Sequence, residues 1–418
     1  MPTPRELLLA LFATAVEAAR PGPRVAAALP PTPTGRTIVI GAGKASADMA
    51  AAVEAARDGA VTGVVAIPDG VEHHCLHIEC LPAGHPVPDE RSVDAAKRVR
   101  AAISDLGPED QVIALISGGG SALLCDPVPG LSLPEKQALT DTLLNSGATI
   151  REINCVRQAL SRSKGGRLAE LAAPAAVHTL LVSDIPGDDP ALIASGPTVA
   201  SPFAPGEAEA VLAHYGIAPP AVLRDGKASS PAPSTNELAG RCHHVILCSA
   251  MESLRAAAAH ARANGVTPLI LGDALEGEAR DMATVHAGIA RSIAAHGEPL
   301  APPAVVLSGG EATVTIDGPA GRGGRNTAFC LALAMALRGH PGVHAIACDT
   351  DGIDGHGGHA GALIDPETLT RARHEGRDAA ADLTAHDSAG LFEAIGDLVD
   401  TGPTGTNVND FRAILVLE

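Results

Sequence analysis

The chain has 418 residues, more than the roughly 250–300 at which one hydrophobic core stops growing, so two domains with a ligand cleft between them are expected. With no Trp, one Tyr and five Phe, it cannot assemble the aromatic platforms on which single-stranded nucleic acid stacks. A formal charge of -18 repels phosphate backbones and anionic membranes, so nucleic-acid and membrane partners are excluded, and any anionic substrate must be met by local positive groups.

The first residues lack the basic region and apolar run of a signal peptide, and no later stretch supplies about 18 uninterrupted apolar residues, so a cytoplasmic protein is expected. A helix is predicted over 4–19, followed by a Pro-rich turn. Short β-branched runs ending in Gly or Asp then alternate with Ala-rich amphipathic stretches, the pattern of βαβ units and an α/β fold with a largely parallel sheet. Strands are predicted over 36–40, 63–67, 111–116, 178–182, 243–247, 304–307 and 343–347, with a final one near 413–417 after the turn residues Asn407-Val-Asn-Asp-Phe. The Pro-, Ser- and Gly-rich stretch 218–234 reads as the connection between domains, dividing 1–235 from 236–418, with the first helix free to pack on the second domain. Eight cysteines are scattered without a C-x-x-C pair, several in apolar runs, and read as buried free thiols.

Several loops combine glycine with charge. The run Ile40-Gly41-Ala-Gly43-Lys44-Ala-Ser46 takes a strand into a glycine turn and an Ala-rich helix, which offers backbone N–H groups to an anion. It begins like a dinucleotide fingerprint, but Ser46 stands where the third glycine belongs and Lys44 intrudes. Only five of the thirty basic residues are Lys, so an ammonium beside glycines points to phosphate contact. Ser117-Gly118-Gly119-Gly120-Ser121 lets a ligand approach the backbone closely, with a hydroxyl on each side. Basic residues concentrate over 151–167, a region containing Asn154, Arg157 and Lys164-Gly-Gly. Asp184, Asp188 and Asp189 follow a strand. A Mg²⁺ role fits Asp184 and Asp189, a general-base role is the alternative for Asp184, and turn capping is the competing role, strongest for Asp188 and Asp189.

In the second half, Ser308-Gly309-Gly310-Glu311 and Gly323-Gly-Arg325-Asn326 repeat the combination, with Arg325 suited to fork two bonds to an oxyanion. Asp349-Thr-Asp351-Gly352 ends a strand with carboxylates that could hold metal, ribose or substrate hydroxyls. His73, His74, His77, His356 and His359 read as surface residues and His85 as part of a turn, with lining of the cleft as its alternative.

Taken in order, these motifs together with Gly84-His-Pro-Val-Pro-Asp89, Arg151-Glu-Ile-Asn154, Ser161-Arg-Ser-Lys-Gly-Gly166 and Val182-Ser-Asp-Ile-Pro-Gly-Asp188 resemble the glycerate 2-kinase family over nearly the whole chain. The resemblance implies an N-terminal Rossmann-like parallel-sheet domain joined to a smaller C-terminal α/β domain of the MOFRL kind, with the active site in the cleft. It implies phosphorylation of D-glycerate to 2-phosphoglycerate with ATP and Mg²⁺. Carried over by position, Lys44, Asp184 and Arg325 would be catalytic. Gly41, Gly43, Ser46, Ser117, Gly118, Gly119, Gly120, Ser121, Lys164, Ser308, Gly309, Gly310, Glu311 and Asn326 would bind nucleotide or phosphate, and Asp184, Asp189, Asp349 and Asp351 are the metal candidates. Ile353 stands where Thr is expected, and His356 and His359 replace smaller or acidic residues. Members of the family are also named hydroxypyruvate reductases, and Gly41-x-Gly43 with the later Asp69 partly imitates a nicotinamide site. Phosphoryl transfer is favoured because it needs several oxyanion loops and hydride transfer does not. The oligomeric state is not set by the sequence, and a homo-oligomer is compatible with it.

Overall fold

A computed structural model describes residues 2–58, 60–185, 187–226, 232–316, 321–355 and 358–418. The chain divides into two compact units, one of Pro21–Ser183 and Asp188–Leu247, the other of Met1–Arg20, Asp184–Gly187 and Cys248–Glu418.

The first unit is built on strands β1 (Thr37–Ala42), β2 (Thr62–Pro68), β3 (Ile78–Ala83), β4 (Gln111–Ile116), β5 (Ala176–Val182) and β6 (Cys242–Cys248), in the order β3-β2-β1-β4-β5-β6. The pairs β3/β2, β2/β1, β1/β4 and β4/β5 are parallel. Every residue of β1 and β4 is buried, which explains why both read as unbroken apolar runs. The order is that of doubly wound nucleotide-binding sheets, and it reverses between β1 and β4.

The second unit carries β7 (Thr267–Glu278), β8 (Ala304–Thr313), β9 (Val343–Asp349), β10 (Gly361–Ile364), β11 (Leu398–Val399) and β12 (Asp410–Val416), in the order β11-β10-β9-β12-β8-β7. Only β7/β8 is parallel among the described pairs; the others are antiparallel. Helix Pro4–Ala18 starts at a capping box in which Thr3 accepts from the Glu6 amide and Glu6 accepts from Thr3. Its Leu7, Leu8, Leu11, Phe12 and Ala15 pack with helix Ala250–Ala263 and with Val305, Phe411 and Ala413 on one face of the sheet. Helices Ala279–His296 and Arg325–Leu337 form a core with Val306, Ala345 and Ile414 on the other.

The division falls at Leu247/Cys248 rather than at 235, because β6 extends the parallel sheet beyond the Pro-rich stretch. The first helix groups with the second unit. Strand β3 escaped the sequence reading because its residues alternate in burial and include Glu79 and Pro82. Strand β7 escaped because it is half-buried and interrupted by glycines. All eight cysteines are free; Cys75 and Cys242 are partly exposed and the rest buried. Among the described residues, no helix is long and apolar enough to cross a membrane.

Candidate functional site

In the parallel-sheet unit, the turns after β1 and β4 meet where the strand order reverses, at the carboxyl ends of both strands. The Lys44 amide donates to Gly118 O (2.9 Å), the Ser117 amide to Ala42 O (3.1 Å) and the Ala45 amide to Ser117 Oγ (3.0 Å). This packing leaves no space beyond glycine. A Cβ on Gly43, whose φ is +144°, would lie 2.0 Å from Ser117 Oγ. One on Gly119, at φ +81°, would lie 2.8 Å from the His85 imidazole and 3.6 Å from Lys44 Cγ. The fold therefore gathers Lys44, His85 and the triple-glycine turn, and His85, read from the sequence as a turn residue, joins the site. Gly41 ends β1, and Gly120 opens the short helix Gly120–Leu123. The Gly118 and Gly119 amides have no acceptor among the described residues, which leaves two donors turned from regular structure.

Ser46 belongs to the packing rather than to an anion-binding surface. It is fully buried and donates to Leu115 O (3.0 Å), tying helix Ser46–Ala56 to β4. Ser121 enters a hydroxyl chain with Ser195 (2.7 Å), which donates to Asn154 Oδ1 (2.7 Å). Lys164 is 1% exposed and donates to Ser121 O (3.0 Å). The two glycines after it pair with Ser195 O (3.1 Å) and Gly196 O (2.8 Å), on a backbone where Ala194 and Ser195 both take positive φ. Such conformations persist only where the surroundings hold them. Asp189 serves as a cap: its carboxylate accepts from the Ala191 amide (3.0 Å) and its carbonyl from the Leu192 amide (2.9 Å). Ser195 belongs to the run Ile193-Ala-Ser195-Gly196-Pro197-Thr198, which the sequence groups with the acidic turn before it.

In the mixed-sheet unit, Arg325 opens helix Arg325–Leu337 as the hub of three carboxylates. Its Nε donates to Asp410 (2.7 Å), Nη1 to Glu311 (2.5 Å) and Nη2 to Asp349 (2.7 Å). Burial opposes its charge, but Asp410, Asp349 and Glu311 outweigh burial and hold its pKa above the ordinary arginine value. Asp410 also accepts from Asn326 Nδ2 (2.8 Å), the Ala312 amide (2.9 Å) and the buried Arg412. Asp354 caps the helix, accepting from the amides of Asn326 (2.9 Å) and Thr327 (2.8 Å). The helix start and the amide nitrogens of the fully buried Asn326 are therefore occupied from within the protein, contrary to the expectation that Asn326 faces phosphate, while Asn326 Oδ1 has no partner among the described residues. Asp410 was missed because it falls in the presumed turn 407–411, and Arg412 because it lies between that turn and the predicted strand; their i, i+2 spacing on one strand face was the available signal.

Ser308-Gly309-Gly310-Glu311 is also corrected, from a loop to the middle of β8. Ser308 is buried against His286 Nε2 (3.1 Å), and Gly309 O accepts from Arg412 (3.2 Å). Gly310 is required because a Cβ there would lie 2.2 Å from Leu275 O, where β7 and β8 shift register. Of this motif only Glu311 reaches the Arg325 hub.

Three acids are brought near one another by chain path. Asp349 ends β9, Asp351 follows it, and Asp184 O accepts from Asn409 Nδ2 (2.5 Å) while Asn409 O accepts from the Thr350 amide (3.1 Å). Among the described residues, no group of three or more His, Cys, Asp or Glu is arranged to hold a metal ion. His73, His74 and His77 are exposed, as expected, but His359 is only 4% exposed and neither ring nitrogen has a partner among the described residues. His356 lies outside the described residues.

With this geometry, comparison with known proteins gives a consistent result. Residues 7–225 match the family described as domain of unknown function DUF4147, and residues 304–410 match the MOFRL family. A D-glycerate 2-kinase of Thermotoga maritima is 37% identical, over 99% of this chain and 98% of its own. A crystal structure of glycerate kinase from the same organism superposes with a TM-score of 0.88 at 36% identity, covering 99% of both chains. A protein of Agrobacterium vitis that bears the provisional name hydroxypyruvate reductase is 53% identical over 99% of this chain and 94% of its own. The chain belongs to the glycerate 2-kinase family and is a glycerate kinase enzyme.

Proposed function

We propose that the protein transfers the γ-phosphoryl group of ATP to the 2-hydroxyl of D-glycerate. The observation that carries this reading is the meeting of Lys44 with the triple-glycine turn where the parallel sheet reverses its order. Ligands of open α/β sheets bind at such points, and phosphoryl transfer is catalysed by positioning and charge neutralisation, for which an ammonium and free backbone amides suffice. Lys44 neutralises phosphate charge, and the Gly118 and Gly119 amides orient the phosphate oxygens.

Mg²⁺ is bound by such enzymes through one or two carboxylates together with nucleotide phosphates and water, so it needs no complete protein cage. Asp349, which ends β9 beside Arg325, can supply one such carboxylate, with Asp351 two residues on. Asp184, Asp349 and Asp351 would hold the ion, which supplies neutralisation of the β- and γ-phosphates. Arg325 holds Asp349 and Glu311 in place and presents a fixed positive charge beside them. Asp184 is the residue assigned to accept the proton of the acceptor hydroxyl if its carboxylate is not a metal ligand.

Reduction of hydroxypyruvate with NAD(P)H is the rival reading, supported by the name of the Agrobacterium relative. Against it, Asp69, which would bind the ribose at the end of β2, is paired with Arg91 through two bonds (2.6 and 2.8 Å), and the buried Ser46 replaces the third glycine. Purified protein supplied with D-glycerate, ATP and Mg²⁺ should form ADP and 2-phosphoglycerate, identified by NMR. Oxidation of NADH by hydroxypyruvate in the absence of ATP turnover would sink the kinase reading.

A further inference from the structure

The parallel-sheet unit contains a buried positive centre that its own carboxylates do not balance. Lys136 and Lys164 are 6% and 1% exposed. Each ammonium has three donors, yet the hydrogen bonds they make are to backbone carbonyls, Lys136 to Leu160 O (3.2 Å) and Lys164 to Ser121 O (3.0 Å). Arg157, partly exposed on helix Ile150–Ala159, makes no side-chain hydrogen bond or ion pair with a described residue. The three cations sense one another: burial first, then Lys136 and Arg157, push the pKa of Lys164 well below the usual lysine range. Burial likewise lowers that of Arg157. The carboxylate nearby, Asp126, already faces Arg100 (3.3 Å) and Arg162 (3.8 Å).

Cations gathered out of water in excess of their counter-charges are destabilising, and their retention is explained by an anion that arrives as ligand. A guanidinium forks two parallel bonds to a carboxylate, the geometry that distinguishes it from an ammonium. Lys164 ties this centre to Ser121, the last residue of the triple-glycine turn, whose Gly119 meets Lys44. We propose that Arg157 and Lys164 bind the carboxylate of the acceptor, leaving the glycine turn and Lys44 to the phosphoryl donor. This inference rests on the kinase reading and assigns the acceptor subsite within it. Lys136 adds charge without touching the ligand. The subsite also explains selection of a hydroxy acid over an uncharged polyol, since without a carboxylate the buried cations remain unpaired.

The test combines calorimetric binding of D-glycerate with steady-state kinetics, on the full chain and on Arg157→Ala and Arg157→Lys. Arg157→Ala should weaken glycerate binding and raise its KM by at least about tenfold, the scale of losing a charged hydrogen-bonding partner. The KM for ATP should not change, preference for glycerate over glycerol should fall, and Arg157→Lys should recover part of the loss. Unchanged glycerate affinity in Arg157→Ala, or a rise confined to the KM for ATP, overturns the subsite. If the unmodified protein binds glycerate through Arg157 but does not turn over ATP, the kinase reading falls and the subsite stands. If it turns over ATP and Arg157→Ala keeps the glycerate KM, the subsite alone falls, and if it neither binds nor converts glycerate, both fall.

Discussion

Arg325 and Lys44 are both cations that directly follow a glycine, but their surroundings give them different work. Arg325 is enclosed by Glu311, Asp349 and Asp410, so its removal takes the shared guanidinium from three carboxylates, two of them nearly or fully buried. Arg325→Ala should therefore lower stability by about 3 kcal/mol, the scale of breaking a buried pair, as well as activity. Thermal unfolding of the variant checks this, and an unchanged melting temperature would contradict the hub. Lys44 lies against the triple-glycine turn, where phosphate charge is to be met. Lys44→Ala should lower kcat about a hundredfold, the scale of a lost transition-state charge contact, which steady-state kinetics checks. Asp184→Asn should abolish most turnover; titration with Mg²⁺ separates its roles, because extra metal restores activity only if the residue is a ligand. Lys44 and Arg325 stand out in the sequence because each cation follows glycine, and Asp184 because it heads a run of carboxylates after a strand. That Ser46 and Asn326 are packing residues was not legible, since a buried hydroxyl or amide has the same sequence as an exposed one.

Among the elements, the turns after β1 and β4 form one structure. Gly43→Ala places a methyl group against Ser117 Oγ at a φ that side chains rarely adopt. It should destabilise the protein by about 2 kcal/mol through overpacking and separate the two turns. Chemical denaturation gives the first quantity, and loss of ATP-dependent turnover at a temperature where the variant is folded gives the second. Strand β8 carries the opposite lesson. Its Ser308-Gly-Gly-Glu311 has the composition of an anion loop, but the glycines are there because β7 and β8 approach closely across a register shift. Composition states that the backbone is approached, not what approaches it.

For the whole molecule, a pH dependence follows from buried imidazoles. His286 is 2% exposed between Met282 O and Ser308, and burial holds its pKa below the ordinary 6.5; burial acts in the same direction on His178 and His344. The unfolded chain then binds protons that the folded one refuses. Their contribution to stability is present above 6.5 and is lost as pH falls from there through the lowered folded values. Melting temperature should drop between about pH 7 and pH 5, and His286→Gln, which cannot titrate, should reduce that slope. A slope unchanged in the variant would remove His286 as a cause. The α/β class, the strands of the buried cores and the order of the motifs were determined by sequence alone, because hydrophobic period and glycine punctuation are local properties. Tertiary structure decided the rest. It alone extended the parallel sheet to β6, joined the turns of β1 and β4 at the reversal of strand order, and surrounded Arg325 with acids from three separate strands. The physical reason is that pairing order and burial depend on contacts between residues far apart in the chain, which no local pattern encodes.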